Sequence, residues 1–182
     1  MRNSKTKKMI LNAILLGIGL ILHQIFPSIG GITPDITLVM LFCIMIINKD
    51  DYKSCLIAGI LTGLFTAMTT KFPGGQVPNV IDKFVTVNVV YGIMKLMYLN
   101  PFIEKLGKRG NQIVAVVMAL LGTAVSGLVF LSMASVMVGL PAALTQLFMA
   151  VVLPATLINM ITIVVLYNII AVSLKRTSYQ IG

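Results

Sequence analysis

Asp82 and Lys83 stand side by side in the run Val80-Ile81-Asp82-Lys83-Phe84-Val85, which is otherwise apolar. A charge inside an apolar helix is costly unless it is paired or wet, so both residues are functional candidates by default. Neighbouring helical residues do not face one another. On that geometry the two are poor partners, one turned to the bundle and the other to the headgroups. Asn79, Lys83 and Tyr91 fall near one stripe of a helix at spacings of four and eight. Such a stripe offers an amide, an ammonium and an aromatic ring to one ligand. The plainer reading is an interfacial anchor, with Lys83 snorkelling to the headgroups.

Other polar residues gather at a similar level. His23 and Gln24 close the first apolar run, Asp35 opens the second, Gln76 lies in the third connection and Gln146 near the start of the last run. Together they mark a site opening to one side. His23 is the single histidine and is read either as a ligand contact or as a helix-end cap. Asp35 also suits the N-terminus of the second helix. Asn159 follows Pro154 by five residues, where a buried amide either joins helices or reads a ligand.

Enzyme chemistry finds no support. There is no Gly-rich loop followed by Lys and Ser/Thr, and no His-Glu-x-x-His. One histidine leaves no room for a Ser/His/Asp set, and the only adjacent acids, Asp50-Asp51, fall in a short turn. Cys43 and Cys55 read as buried thiols. No cofactor and no metal is expected.

The elements that must position these residues follow from composition. The 182 residues are 58% hydrophobic and 10% charged, against about 25% charged in soluble domains. Most of this surface has lipid as its natural solvent. The expected fold is an all-α integral membrane protein, one membrane domain over 1–182. It forms a compact bundle of six transmembrane helices at about 8–26, 34–48, 52–70, 79–98, 112–138 and 142–174. Pro27 and Gly30-Gly31 end the first, Pro34-Asp35 start the second, Pro78 precedes the fourth, and Pro154 kinks the last. The first run resembles a signal peptide but lacks a small-x-small site, and is read as a retained helix. Runs of this length favour helices over a barrel.

Placing the N-terminus inside puts every lysine and arginine of the fourteen except Lys71 and Lys83 on the inner side. Both termini are then cytoplasmic. The net charge of +9 is thereby explained by topology and anionic lipid rather than by nucleic acid. Small residues have a packing reading: Ala13 and Gly17 on the first helix, and Ala119, Gly122, Ser126 and Gly127 on the fifth. The alternative for the first pair is a docking face for another subunit.

Leu22-His23-Gln24-Ile25-Phe26-Pro27 followed by Gly31-Ile32-Thr33-Pro34-Asp35, and later Gly74-Gly75-Gln76-Val77-Pro78-Asn79-Val80-Ile81-Asp82-Lys83, resemble the bacterial tryptophan transport protein family. That family is similar to the substrate-binding S-components of energy-coupling factor (ECF) transporters. The resemblance covers essentially the whole chain. It implies a multi-pass protein of the bacterial cell membrane that binds tryptophan or a similar small molecule from outside. It implies partners as well, an ECF scaffold subunit and two ATPases, met through a first-helix motif matched here by Ala13-Ile14-Leu15-Leu16-Gly17. By that resemblance the two motifs wall the pocket. A zwitterionic amino acid needs partners for both charges and an acceptor for the indole N–H. Lys83 is then expected on the carboxylate, Asp82 or Asp35 on the ammonium, and Gln76, Asn79 or Asn159 on the indole. The alternatives are a stand-alone ion-coupled secondary carrier and a non-transporting membrane scaffold subunit.

Overall fold

The computed structural model describes residues 2–26 and 34–176. Pro27, Gly30-Gly31 and the Gly31–Thr33 part of the first-loop motif lie outside the described residues. Among those described the protein is all helical: α1 (Arg2–Ile25), α2 (Ile36–Ile47), α3 (Tyr52–Thr69), α4 (Gln76–Tyr98), α5 (Pro101–Lys105), α6 (Lys108–Met137), α7 (Leu144–Leu147) and α8 (Leu153–Arg176).

The bundle is organised around its shortest long element. All twelve residues of α2 are buried, and α1, α3, α4, α6 and α8 all pack against it. A helix apolar on every side belongs inside. Twelve residues rise about 18 Å, well short of the roughly 30 Å hydrocarbon thickness. Its ends therefore lie within the protein and must be satisfied there. At one end the Asp35 carboxylate accepts from the Leu38 N–H at 2.9 Å. At the other, the Asn48 amide donates to the Ile44 carbonyl at 2.8 Å and to Asn12 of α1 at 3.0 Å.

Four stretches are long and apolar enough to cross a membrane: 5–25 of α1, α3, α6, and the continuous helical run 144–176. Outside that set stand α2, by length, and α4, which carries Asp82, Lys83 and Lys95. Tight glycine contacts bring α4 against α3. A Cβ on Gly59 would meet the Val87 Cβ at 2.7 Å, and one on Gly63 would meet the Lys83 Cβ at 3.3 Å. In α6, Ala119, Gly122 and Ser126 are buried, and Gly122 abuts the Phe42 ring of α2. This small-residue face packs internally.

Several boundaries differ from the sequence reading, each for a local reason. The fourth helix starts at Gln76 rather than 79 because Pro78 sits within its first turn, where no N–H partner is missed. The polar stretch after it contains α5, started by Pro101 and capped by Asn100, whose side chain accepts from the Phe102 N–H at 3.0 Å. The next helix accordingly begins at Lys108 rather than 112. Pro154 acts on its own helix through five π-helical residues, Phe148–Val152, just before it. A proline ring clashes with the carbonyl four residues back, here Ala150, and a widened turn accommodates it.

Candidate functional site

The chain direction brings six helix ends to one end of the bundle: the finish of α1, the start of α2, the finish of α3, the start of α4, the later part of α6, and the run from α7 into α8. They enclose a cavity of about 520 Å³, within the roughly 300–1,000 Å³ usual for small-molecule sites. Its wall is mostly apolar, from Leu38, Leu131, Val151, Val152 and Ala155, with Phe72 and Phe130 in edge-to-face contact at 5.5 Å.

Into this apolar wall is set a buried charge cluster. The Lys83 ammonium, 2% exposed, donates to Asp82 Oδ2 at 2.6 Å and to Ser126 Oγ of α6 at 3.0 Å. It also lies 2.9 Å from Asp35 Oδ2. Three N–H groups thus meet three acceptors. Thr86 donates to the other oxygen of Asp82 at 2.9 Å. The Thr37 hydroxyl and the Leu38 N–H both donate to Asp35 Oδ1. Asp82 is closed off at 1% exposure, whereas the Asp35 side chain keeps 25%. Helices α2, α4 and α6 are pinned together at this point.

The second polar feature lies on α8. Asn159 is fully buried, and its amide donates to Thr123 Oγ1 at 3.1 Å. Its carbonyl oxygen has no hydrogen-bond partner, and the residue lines the cavity. A buried acceptor left unmade costs about 1–3 kcal/mol, so an orphan on a residue that lines a cavity is a place for a donor.

Of the ten residues singled out from sequence, six line this cavity: His23, Asp35, Asn79, Asp82, Lys83 and Asn159. His23 Nδ1 lies 3.3 Å from the Pro34 carbonyl, and the Asn79 amide donates to the Gly75 carbonyl at 2.7 Å. The other four do not line it. Gln24, Gln76 and Gln146 are exposed. Tyr91 belongs to the opposite end of the bundle, where its hydroxyl donates to the Lys49 carbonyl at 3.2 Å. The stripe argument fails for Tyr91 because eight helical residues rise about 12 Å, which carries the ring two turns away from Lys83. The expectation that Asp82 and Lys83 are poor partners is overturned too. Four methylenes let the ammonium swing back to its neighbour.

Sequence reasoning overlooked Thr66, Thr69, Thr70 and Lys71 at the end of α3, which also line the cavity. The signal was a run of hydroxyls at helical spacing beside Lys71. Ser126 was read only as a small packing residue, yet it is a ligand of the buried ammonium. Forty-three residues separate it from Lys83, and nothing local reveals the pairing.

The description "Tryptophan transporter TrpP" matches residues 5–175. The chain belongs to the TrpP tryptophan transporter family. Relatives bearing the name "Probable tryptophan transport protein" run nearly end to end with it. The protein from Clostridium perfringens is 46% identical over 96% of this chain and 97% of its own. That from Clostridium acetobutylicum is 42% identical over 93% and 94%, and that from Bacillus subtilis 40% identical over 97% of each. No solved structure matches. TrpP membership and several membrane-length helices make this a multi-pass membrane protein.

Proposed function

We propose that the chain captures tryptophan from the outer face of the bacterial cell membrane, as the substrate-binding subunit of an ATP-driven ECF-type importer. The observation that carries the substrate reading is the unpartnered carbonyl oxygen of Asn159 in an apolar wall. The indole N–H is a donor without acceptor capacity, and it matches an acceptor that has no partner of its own on a mostly apolar wall. Asp35, still accessible beside the cavity, takes the substrate ammonium. Lys83 suits the carboxylate poorly, because its three donors are already engaged. Lys71, exposed on the same cavity, is the better cation for that role.

The test is tryptophan binding to the purified chain, compared with the analogue in which sulfur replaces the indole nitrogen. A site built around a hydrogen bond rejects the ligand that lacks the donor. Wild type therefore prefers tryptophan, and Asn159→Leu loses about tenfold or more in tryptophan affinity while its preference collapses. Retained discrimination in Asn159→Leu would remove Asn159 from the site.

Three observations support the importer reading. Arginines and lysines cluster away from the cavity end. The sequence lacks a nucleotide-binding loop, in keeping with a borrowed motor. On α1, Ala13 is exposed and Gly17 has open space above it, beside the exposed Ile10, Ile14, Ile18 and Ile21. Gly17→Leu is expected to abolish uptake while leaving tryptophan binding intact. Vesicle uptake driven by an ion gradient with this chain alone would replace the importer with a secondary carrier. Failure to bind any small molecule saturably would favour a scaffold.

A further inference from the structure

The charge cluster beside the cavity does not balance. Two carboxylates, Asp35 and Asp82, face a single ammonium, Lys83, which leaves one formal negative charge on a cluster whose Asp82 and Lys83 are buried and whose Asp35 is partly open. Serine and threonine hydroxyls complete the hydrogen bonds but contribute no charge. The other ionisable groups on the same cavity are His23 from α1 and Lys71 at the end of α3. From α6 and α8 the cavity receives the uncharged Thr123, Ser126 and Asn159 and apolar side chains. A net charge held in a low-dielectric site is expensive, and such sites neutralise by taking up a proton or a counter-cation.

We propose that the empty site carries one proton shared by the Asp35–Asp82 pair, and that an incoming substrate ammonium displaces it to water. This rests on the reading of the cavity as an amino-acid site, and it adds a second ligand, the proton, to that site. The exchange balances. One carboxyl O–H bond breaks and its proton passes to solvent through the cavity. The substrate's N–H then donates to the freed carboxylate oxygen, so Asp35, Asp82, Lys83 and the substrate ammonium sum to zero, as the protonated cluster did, while the substrate carboxylate is met by Lys71 on the same cavity. Asp35 is the entry point, being the carboxylate that remains accessible. Asp82 communicates with it through the Lys83 ammonium that both share, so the two titrate as one unit. Tryptophan affinity therefore rises with pH, by up to tenfold per unit while the pair holds its proton. A ligand with an ammonium releases the proton, and one without it does not.

The experiment is calorimetric titration of the purified full chain with tryptophan at pH 6, in two buffers of different ionisation enthalpy. About one proton released per tryptophan is expected. Infrared difference spectra on tryptophan addition should show loss of a protonated-carboxyl band. That band should be absent in Asp82→Asn and in Asp35→Asn, whose asparagine still caps α2 as well as aspartate does. Tryptamine should release the proton, and His23→Gln should leave the release in place. Tryptophan heat independent of buffer would overturn the proton exchange while leaving tryptophan binding standing. So would release that disappears in His23→Gln, or neutralisation by sodium seen as competition between sodium and tryptophan. No tryptophan heat at any concentration would overturn both.

Discussion

Helix α4 makes a lysine–aspartate contact at each end of the bundle, and the two are alike in chemistry but opposite in setting. Lys83 meets Asp35, just before α2, and Lys95 meets Asp50, just after it, at 2.9 and 2.8 Å. The two lysines are twelve residues apart, about 18 Å along the helix, which is also the length of α2. One helix thus holds the short central helix at both of its ends. At the cavity end Lys83 is 2% exposed. At the basic end the side chains of Lys95 and Asp50 are 45% and 71% exposed. Water decides what each pair is for. The exposed pair can break and reform at little cost. The buried cluster cannot be left incomplete, and it carries an extra acid that the exposed pair lacks.

The largest expected effect comes from removing the buried cation. Lys83→Met leaves Asp35 and Asp82 without their shared partner, and breaking a buried pair from one side costs about 3–5 kcal/mol. Thermal unfolding in detergent should show a large drop in midpoint or no folded protein. Adding Asp82→Asn and Asp35→Asn to Lys83→Met should recover much of the loss, because the penalty lies in the stranded carboxylates. A triple variant no better than Lys83→Met would mean that the lysine stem, and not its charge, is what the site needs.

A smaller effect belongs to the turn 48–51 at the basic end. Asp51 caps α3, accepting from the Ser54 N–H at 3.0 Å and from the Ser54 hydroxyl at 2.8 Å. Losing an N-cap costs about 1 kcal/mol. Asp51→Ala should lower the unfolding midpoint modestly and leave tryptophan binding unchanged, whereas Lys83→Met disturbs both. Loss of binding in Asp51→Ala would show that the two ends are coupled more tightly than their separate contacts imply.

How much of this was readable beforehand divides along the same line. The apolar runs identified helices, because lipid leaves the backbone little choice. Asp82 and Lys83 declared themselves by being charges among Val80, Ile81, Phe84 and Val85. What they touch did not. Asp35 and Ser126 reach Lys83 from elsewhere in the chain, and only the packed bundle reveals that the ammonium is saturated and so a poor candidate for the substrate carboxylate. The placement of Tyr91 at the cavity failed because periodicity gives the face of a helix and not the depth along it. The basic end was legible as a count of lysines, but the pairing of Lys95 with Asp50, and the Lys49 ammonium 4.9 Å above the Tyr98 ring, are tertiary facts.

The weakest effect tests the exposed pair itself. The hydrogen bond from Lys95 holds the Asp50 carboxyl below its ordinary value of 3.8, against a smaller opposing effect of burial. A carboxyl whose pKa is lower folded than unfolded contributes stability above the unfolded value, and loses it as pH falls through the folded one. The contribution of Asp50 should therefore be constant at neutral pH and fade only below about pH 4. Its size should be under about 1 kcal/mol and should shrink with added salt. Lys95→Ala should thus shift the unfolding midpoint slightly at pH 7 in low salt, and not at all in high salt or strong acid. A shift that persists in high salt would mean that Lys95 acts through packing of its stem on α4, and the contrast between a wet pair and a dry one would lose its exposed half.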